Sequence, residues 1–120
     1  MPNANKWDAE SHFPLDVIKE AGALGFGGLF VPEEYSGSNL GRLDGSIIFE
    51  NLSYGDISTT AFLTIHNMVN AMIAKHGNEQ QKQNFCKPLS EVDMIASYCL
   101  TEPNSGSDAG SMKTKAIRDE

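Results

Sequence analysis

Residues 97–116 read SYCLTEPNSGSDAGSMKTKA, and the organisation of the whole chain turns on what this stretch is. Pro103 biases Glu102 toward an extended conformation, which leaves the backbone amides of Leu100 and Thr101 pointing along a strand edge. Gly106 removes the side chain where a ligand would meet bare backbone, and both Asn104 and Gly106 tolerate positive φ at little cost. Successive N–H groups in such turns form a concave anion site, and Thr101, Ser105 and Ser107 add hydroxyls. No GK[ST] follows, so the segment is not a P-loop. On residue chemistry alone, a connecting turn and a ligand-holding loop both remain open.

On either side the sequence is β-prone. Met94 to Leu100 alternates its side chains, and Ser111 to Ile117 alternates Met, Thr and Ala with Ser and Lys, which predicts two strands joined by the loop. Two strands cannot form a stable sheet alone. The chain stops at Glu120 within the second, so a β-domain is expected to follow.

Upstream the periodicity is helical. Phe13-Pro14, followed by Leu15, Ile18, Gly22 and Gly25, predicts a helix with Pro14 in its first turn and its end near Gly25. GFGG (residues 25–28) lacks both the GxGxxG spacing and a preceding strand, so it reads as a helix stop and turn rather than a dinucleotide fingerprint. From Arg42, the positions Leu43, Ile47, Ile48 and Leu52 predict a second helix closed by Gly55-Asp56. Ile57 to His76 predicts a third and longest helix. Ala61, Ile65, Met68, Val69, Met72 and Ile73 form its stripe, and Phe62 and Leu63 lie outside it, so it is expected to be surrounded by protein. Its small and polar residues are candidates for lining an acyl pocket, and the Met68–Met72 pair reads as core filler. Asn78 with Gln81 resembles a capping box opening a fourth helix that ends near Pro88.

Composition narrows the function. The 120 residues carry a net charge of −7, with 40% hydrophobic and 21% charged residues, ordinary for a globular domain able to bury roughly two thirds of its unfolded surface. That acidity argues against nucleic acid, whose phosphates require clustered Lys and Arg. Cys86 and Cys99 have no zinc-type spacing, and His66 and His76 are too far apart on one helix to share a metal, so no metal site is expected. The N-terminal MPNANKWDAESHFPLD carries no secretory or transit pattern, and no segment is long and apolar enough to cross a membrane.

The full string SYCLTEPNSGSDAGSMKTKA resembles the signature of the acyl-CoA dehydrogenase family: Thr/Ser-Glu-Pro, two small residues, then Gly-Ser-Asp. The preceding order of helices, with GFGGLFVPEEYSG and RLDGSIIFENLS, is similar to the family's N-terminal domain. STTAFLTIHNM and FCKPLSEVDMIASYCLTEP look most like its short branched-chain members. The resemblance implies a mainly α fold, with residues 1–93 as the N-terminal helical domain and residues 94–120 as the truncated start of the middle β-domain.

It also implies FAD as cofactor, held by Tyr98, Leu100, Thr101, Gly106 and Ser107, with Ser107 also touching the acyl-CoA substrate. The family dehydrogenates acyl-CoA to 2-enoyl-CoA, with a glutamate abstracting the α-proton while hydride leaves the β-carbon for the flavin. That glutamate lies in the family's C-terminal helical domain, so no catalytic residue is expected in this chain. Glu102 belongs to the cofactor loop, and Asp108 reads as a loop-fixing residue. Asn104 departs from the family's common Gly at that position. Further implications are an electron-transfer flavoprotein as electron acceptor, a homotetramer and a mitochondrial matrix location. Two alternatives stand beside this reading: a helical interaction module without catalysis, and a flavin-fold relative with different chemistry.

Overall fold

The computed structural model describes residues 3–119. Five helices appear in it: α1 (Ala4–Ala9), α2 (Leu15–Ala23), α3 (Arg42–Ser53), α4 (Ile57–His76) and α5 (Glu79–Ser90), with short 3₁₀ turns at Glu33–Tyr35 and Ala109–Ser111. The mainly helical expectation holds. The bounds of α4 follow from its ends: the Asp56 carboxylate accepts from the Thr59 N–H at 2.9 Å, and Gly77 follows the last turn. Asn78 and Gln81 form the reciprocal capping box at the start of α5, both bonds at 2.9 Å. Pro14 sits one residue earlier than expected, as the N-cap of α2, and the short α1 lies outside every sequence expectation.

α4 is the central helix, packed against both α3 and α5. One apolar cluster gathers Ile18, Leu63 and Val92, with Phe13, Ala21, Phe49 and Leu52 against it. A second gathers Val31, Tyr35 and Cys86, with Ile73 and Ala74 alongside.

The facing of α4 reverses the expectation. Its buried residues are Thr59, Thr60, Leu63, His66, Asn67 and Asn70, whereas Phe62, Ile65, Met68 and Met72 are exposed large hydrophobics. The physical reason lies in what surrounds the helix: irregular backbone at residues 26–29 and at the end of α5 is packed against it, and buried backbone polar groups must find partners. Asn67 supplies them, accepting from the Leu29 N–H at 2.8 Å and donating to the Phe26 carbonyl at 2.7 Å. Asn70 Nδ2 donates to Ser90 Oγ at 3.1 Å. Asn67 and Asn70 therefore tie neighbouring segments to the helix, while Ala61 and His66 line an apolar groove, and the exposed Met68 and Met72 are not core filler. Leu43 and Ile47 of α3 likewise face outward, because the inward position is Gly45, where a Cβ would stand 2.4 Å from the Phe30 ring.

GFGG is a close-packing device as well as a helix stop. Gly25 takes φ +88°, and its N–H and that of Phe26 donate to the Gly22 and Ala21 carbonyls at 2.8 and 2.9 Å, a Schellman ending for α2. A Cβ on Gly28 would meet Ser90 Oγ at 2.4 Å, so only glycine lets the end of α5 approach.

The two expected strands do not form among the described residues. Residues 94–101 and 112–119 carry no sheet pairing, and the one bridge is an isolated antiparallel contact between Glu102 and Ser105. A side-chain alternation makes a strand only where a neighbour accepts its backbone hydrogen bonds, and the described chain holds no such neighbour.

Candidate functional site

Residues 94–114 leave the end of α5, run beside α4 and then fold into a small self-tied loop. Glu102 and Ser105 exchange two backbone bonds, at 2.8 and 3.2 Å, across Pro103-Asn104. Ser105 is buried, and its hydroxyl donates to the Asp108 carbonyl at 2.6 Å. Asp108 also accepts from the Ser111 N–H at 3.1 Å and from the Ser111 hydroxyl through its carboxylate, the loop-fixing role expected of it. Neither Asn104 nor Gly106 takes positive φ. The turn closes in ordinary backbone space, so Asn104 needs no glycine-like freedom.

Glu102 anchors the far side of the loop. Its carboxylate accepts from the backbone N–H groups of Lys113 at 2.7 Å and Thr114 at 2.9 Å, and from the Thr114 hydroxyl. The Lys113 bond first, then those from Thr114, hold this carboxyl below its ordinary value.

Before the loop the backbone is open. Between Ser97 and Thr101 no N–H or C=O has a hydrogen-bond partner among the described residues. Past it, a Cβ on Gly106 would meet nothing within 4 Å, and Ser107 is exposed with no hydrogen bond among the described residues. Beside the open edge runs an apolar groove of about 520 Å³, lined among others by Phe13, Phe62, Ile65, His66, Ile95 and Tyr98. Phe13 and Phe62 meet edge to face, their ring centroids 4.6 Å apart.

His66 forms part of the groove wall and is 4% exposed. Its Nε2 is 2.8 Å from the Leu89 carbonyl, and its Nδ1 accepts from the Ala96 N–H at 3.2 Å. A carbonyl only accepts and an amide N–H only donates, so this pair of partners selects the neutral ring with its proton on Nε2. Burial pushes its pKa down, opposed in part by the Leu89 bond.

A family model described as acyl-CoA dehydrogenase, N-terminal domain, matches residues 1–93. The chain belongs to the acyl-CoA dehydrogenase family. It is 56% identical to a mitochondrial isobutyryl-CoA dehydrogenase of Dictyostelium discoideum over 98% of its own length and 28% of that protein's. A mitochondrial isobutyryl-CoA dehydrogenase of Bos taurus is 49% identical over 98% of the chain and 28% of that protein. An acryloyl-CoA reductase (NADH) of Anaerotignum propionicum is 34% identical over 98% of the chain and 30% of that protein. The chain thus spans less than a third of the length of these acyl-CoA dehydrogenase relatives.

Of the five residues expected to hold cofactor, Tyr98 lines the groove, Leu100 and Thr101 belong to the open edge, and Gly106 and Ser107 follow the tight turn. His66 is not among the residues expected at the site, and Ser105 is expected there only for its hydroxyl. The signal for His66 was positional: the polar residues three and seven positions after buried Leu63, His66 and Asn70, share its face of α4. Among the described residues no group of three or more His, Cys, Asp or Glu is placed to hold a metal ion, and no helix is long and apolar enough to cross a membrane. Both cysteines are free, Cys86 buried and Cys99 exposed.

Proposed function

We propose that the chain is the N-terminal portion of an FAD-dependent dehydrogenase acting on a short branched acyl-CoA, with residues 1–93 as its helical domain and residues 94–120 opening a β-domain. The observation that carries this reading is the open backbone edge from Ser97 to Thr101, which runs beside an apolar groove into a loop tied by its own side chains. The likeness to two isobutyryl-CoA dehydrogenases supports isobutyryl-CoA as substrate and the mitochondrial matrix as location. An electron-transfer flavoprotein as acceptor and a homotetrameric assembly belong to the same reading.

The residues present fit FAD. Unpaired backbone donors and acceptors at Leu100 and Thr101 suit the polar edge of a flat heteroaromatic ring. The open space at Gly106 lets a ligand approach backbone without meeting a side chain. The free hydroxyl of Ser107 is available to both cofactor and thioester. FAD would supply the hydride acceptor for the α,β-dehydrogenation.

Glu102 is unsuited to proton abstraction. A general base works best with a pKa near the operating pH, whereas Glu102 is shifted the other way and its oxygens are engaged by three donors. In this reading the base lies outside this chain, as the family resemblance implies, and the loop's task is to hold and orient.

Replacing Ser107 with Trp in the full-length protein tests the site. The expected result is a joint loss: lower flavin content after purification and a higher KM for the acyl-CoA. Unchanged flavin content together with an unchanged KM would remove Ser107 from the site.

A further inference from the structure

The open edge owes its position to very few contacts. After α5 the chain turns at Val92, a buried β-branched residue at φ 58°, where glycine is the usual occupant. The Val92 N–H donates to the Leu89 carbonyl at 3.1 Å and the Asp93 N–H to the Pro88 carbonyl at 2.9 Å, completing a Schellman ending. The Met94 N–H shares the Pro88 carbonyl at 3.1 Å. Beyond that, the Ala96 N–H to His66 Nδ1 bond is the last hydrogen bond the described chain makes before the bridge at Glu102.

One imidazole therefore joins three pieces: α4, which carries it, the last turn of α5 through Leu89, and the departing segment through Ala96. Its Nε2 bond to Leu89 fixes the ring's rotation, and with the ring fixed, Nδ1 presents a single lone pair to a single amide. Three residues separate Ala96 from Leu100, few enough for the tether to set where an extended backbone edge lies.

We propose that His66 is a positioning residue for the cofactor edge: by holding the Ala96 amide it fixes residues 97–101 against α4 in the arrangement that Leu100 and Thr101 need to meet the flavin. What the edge holds rests on the function proposed above, whereas the tether is a property of the chain itself. Without the tether the edge samples other placements, and the affinity for its ligand falls in proportion to the fraction of time spent in the competent one.

The test uses the full-length protein with three substitutions: His66→Leu, which fills the space without a hydrogen-bonding atom, His66→Gln, which keeps one donor and one acceptor, and Val31→Ala, a cavity in the second apolar cluster. Each is measured without cofactor by hydrogen–deuterium exchange over residues 94–101 and by thermal midpoint, and then by FAD titration. His66→Leu is expected to speed exchange in the 94–101 stretch at the Ala96 amide, the one His66 holds, and to weaken FAD binding about tenfold, the scale of one lost hydrogen bond. His66→Gln should recover most of both. Val31→Ala should lower the thermal midpoint while leaving exchange at 94–101 and FAD affinity as in the parent. The proposal is overturned if exchange at 94–101 is unchanged in His66→Leu, if Gln recovers nothing, or if Val31→Ala weakens FAD to the same degree. A parent protein that takes up no FAD would refute the function proposed above, and the exchange data would still decide the tether.

Discussion

His66 carries a pH signature as well as a contact. Its folded pKa lies below the ordinary 6.5 because burial disfavours the imidazolium, the Leu89 bond offsetting this in part. Above the unfolded value both states are neutral, and the residue's contribution to stability is fully present. As pH falls below 6.5 the unfolded chain takes up a proton that the folded chain resists, so stability declines toward the folded pKa. The shifted carboxyls Asp56, Glu79 and Glu102 all lie below their ordinary 3.8 to 4.5, so the interval between about pH 7 and pH 5 separates the histidine from them. Urea unfolding of the full-length protein across that interval should show a loss of stability that His66→Gln reduces, and equal slopes for the two proteins would contradict it. Nothing about residue type announces this role. A histidine in an apolar helix reads as structural or solvated, and its partners, a carbonyl 23 residues away and an amide 30 residues away, are fixed by the chain's return path. The left-handed Val92 is equally silent in sequence, since its burial against Ile18 and Leu63 is what offsets a conformation costing roughly 1–2 kcal/mol.

At the scale of elements, sequence gives the ends of helices more readily than their faces. Gly55-Asp56 closes the second expected helix, α3, and the Asn78/Gln81 pair opens the fourth, α5, through local chemistry, and the structure places those ends there, with Asp56 also capping α4. Asp56→Ala in the full-length protein should lower the unfolding free energy by about 1 kcal/mol, the ordinary worth of an N-cap, and Asp56→Ser should keep most of it. Chemical denaturation measures both, and an Ala variant as stable as the parent would show that α4 does not depend on its cap. The facing of α4 was not legible, because a hydrophobic stripe is assigned inward by default. Here the inward need is for hydrogen-bond partners to backbone at 26–29 and 89–96, met by Asn67, Asn70 and His66. The strand alternation of 94–100 was legible, but a ladder requires a neighbour that this stretch of sequence does not contain. The signature at 97–108 identified the loop through spacing, while its closure by Ser105, Asp108 and Glu102 depends on distances no spacing reports.

For the molecule as a whole, the radius of gyration is 15.8 Å, against about 13.6 Å for a compact chain of this length. The excess fits the largely exposed run from Met94 onward; α4 also leaves Phe62, Ile65, Met68 and Met72 exposed, with Phe85 of α5 beside Met72. A chain covering 28% of its isobutyryl-CoA dehydrogenase relatives is expected to hold one wall of a site whose other walls lie elsewhere in the protein. The measurement that bears most directly on this account is an anaerobic titration of the purified full-length protein with a series of acyl-CoA thioesters, following the visible flavin band. The expected result is a stoichiometric flavin band that bleaches on addition of isobutyryl-CoA, and more slowly with straight-chain thioesters. A protein that carries and takes up no flavin, or whose flavin no acyl-CoA reduces, would contradict it.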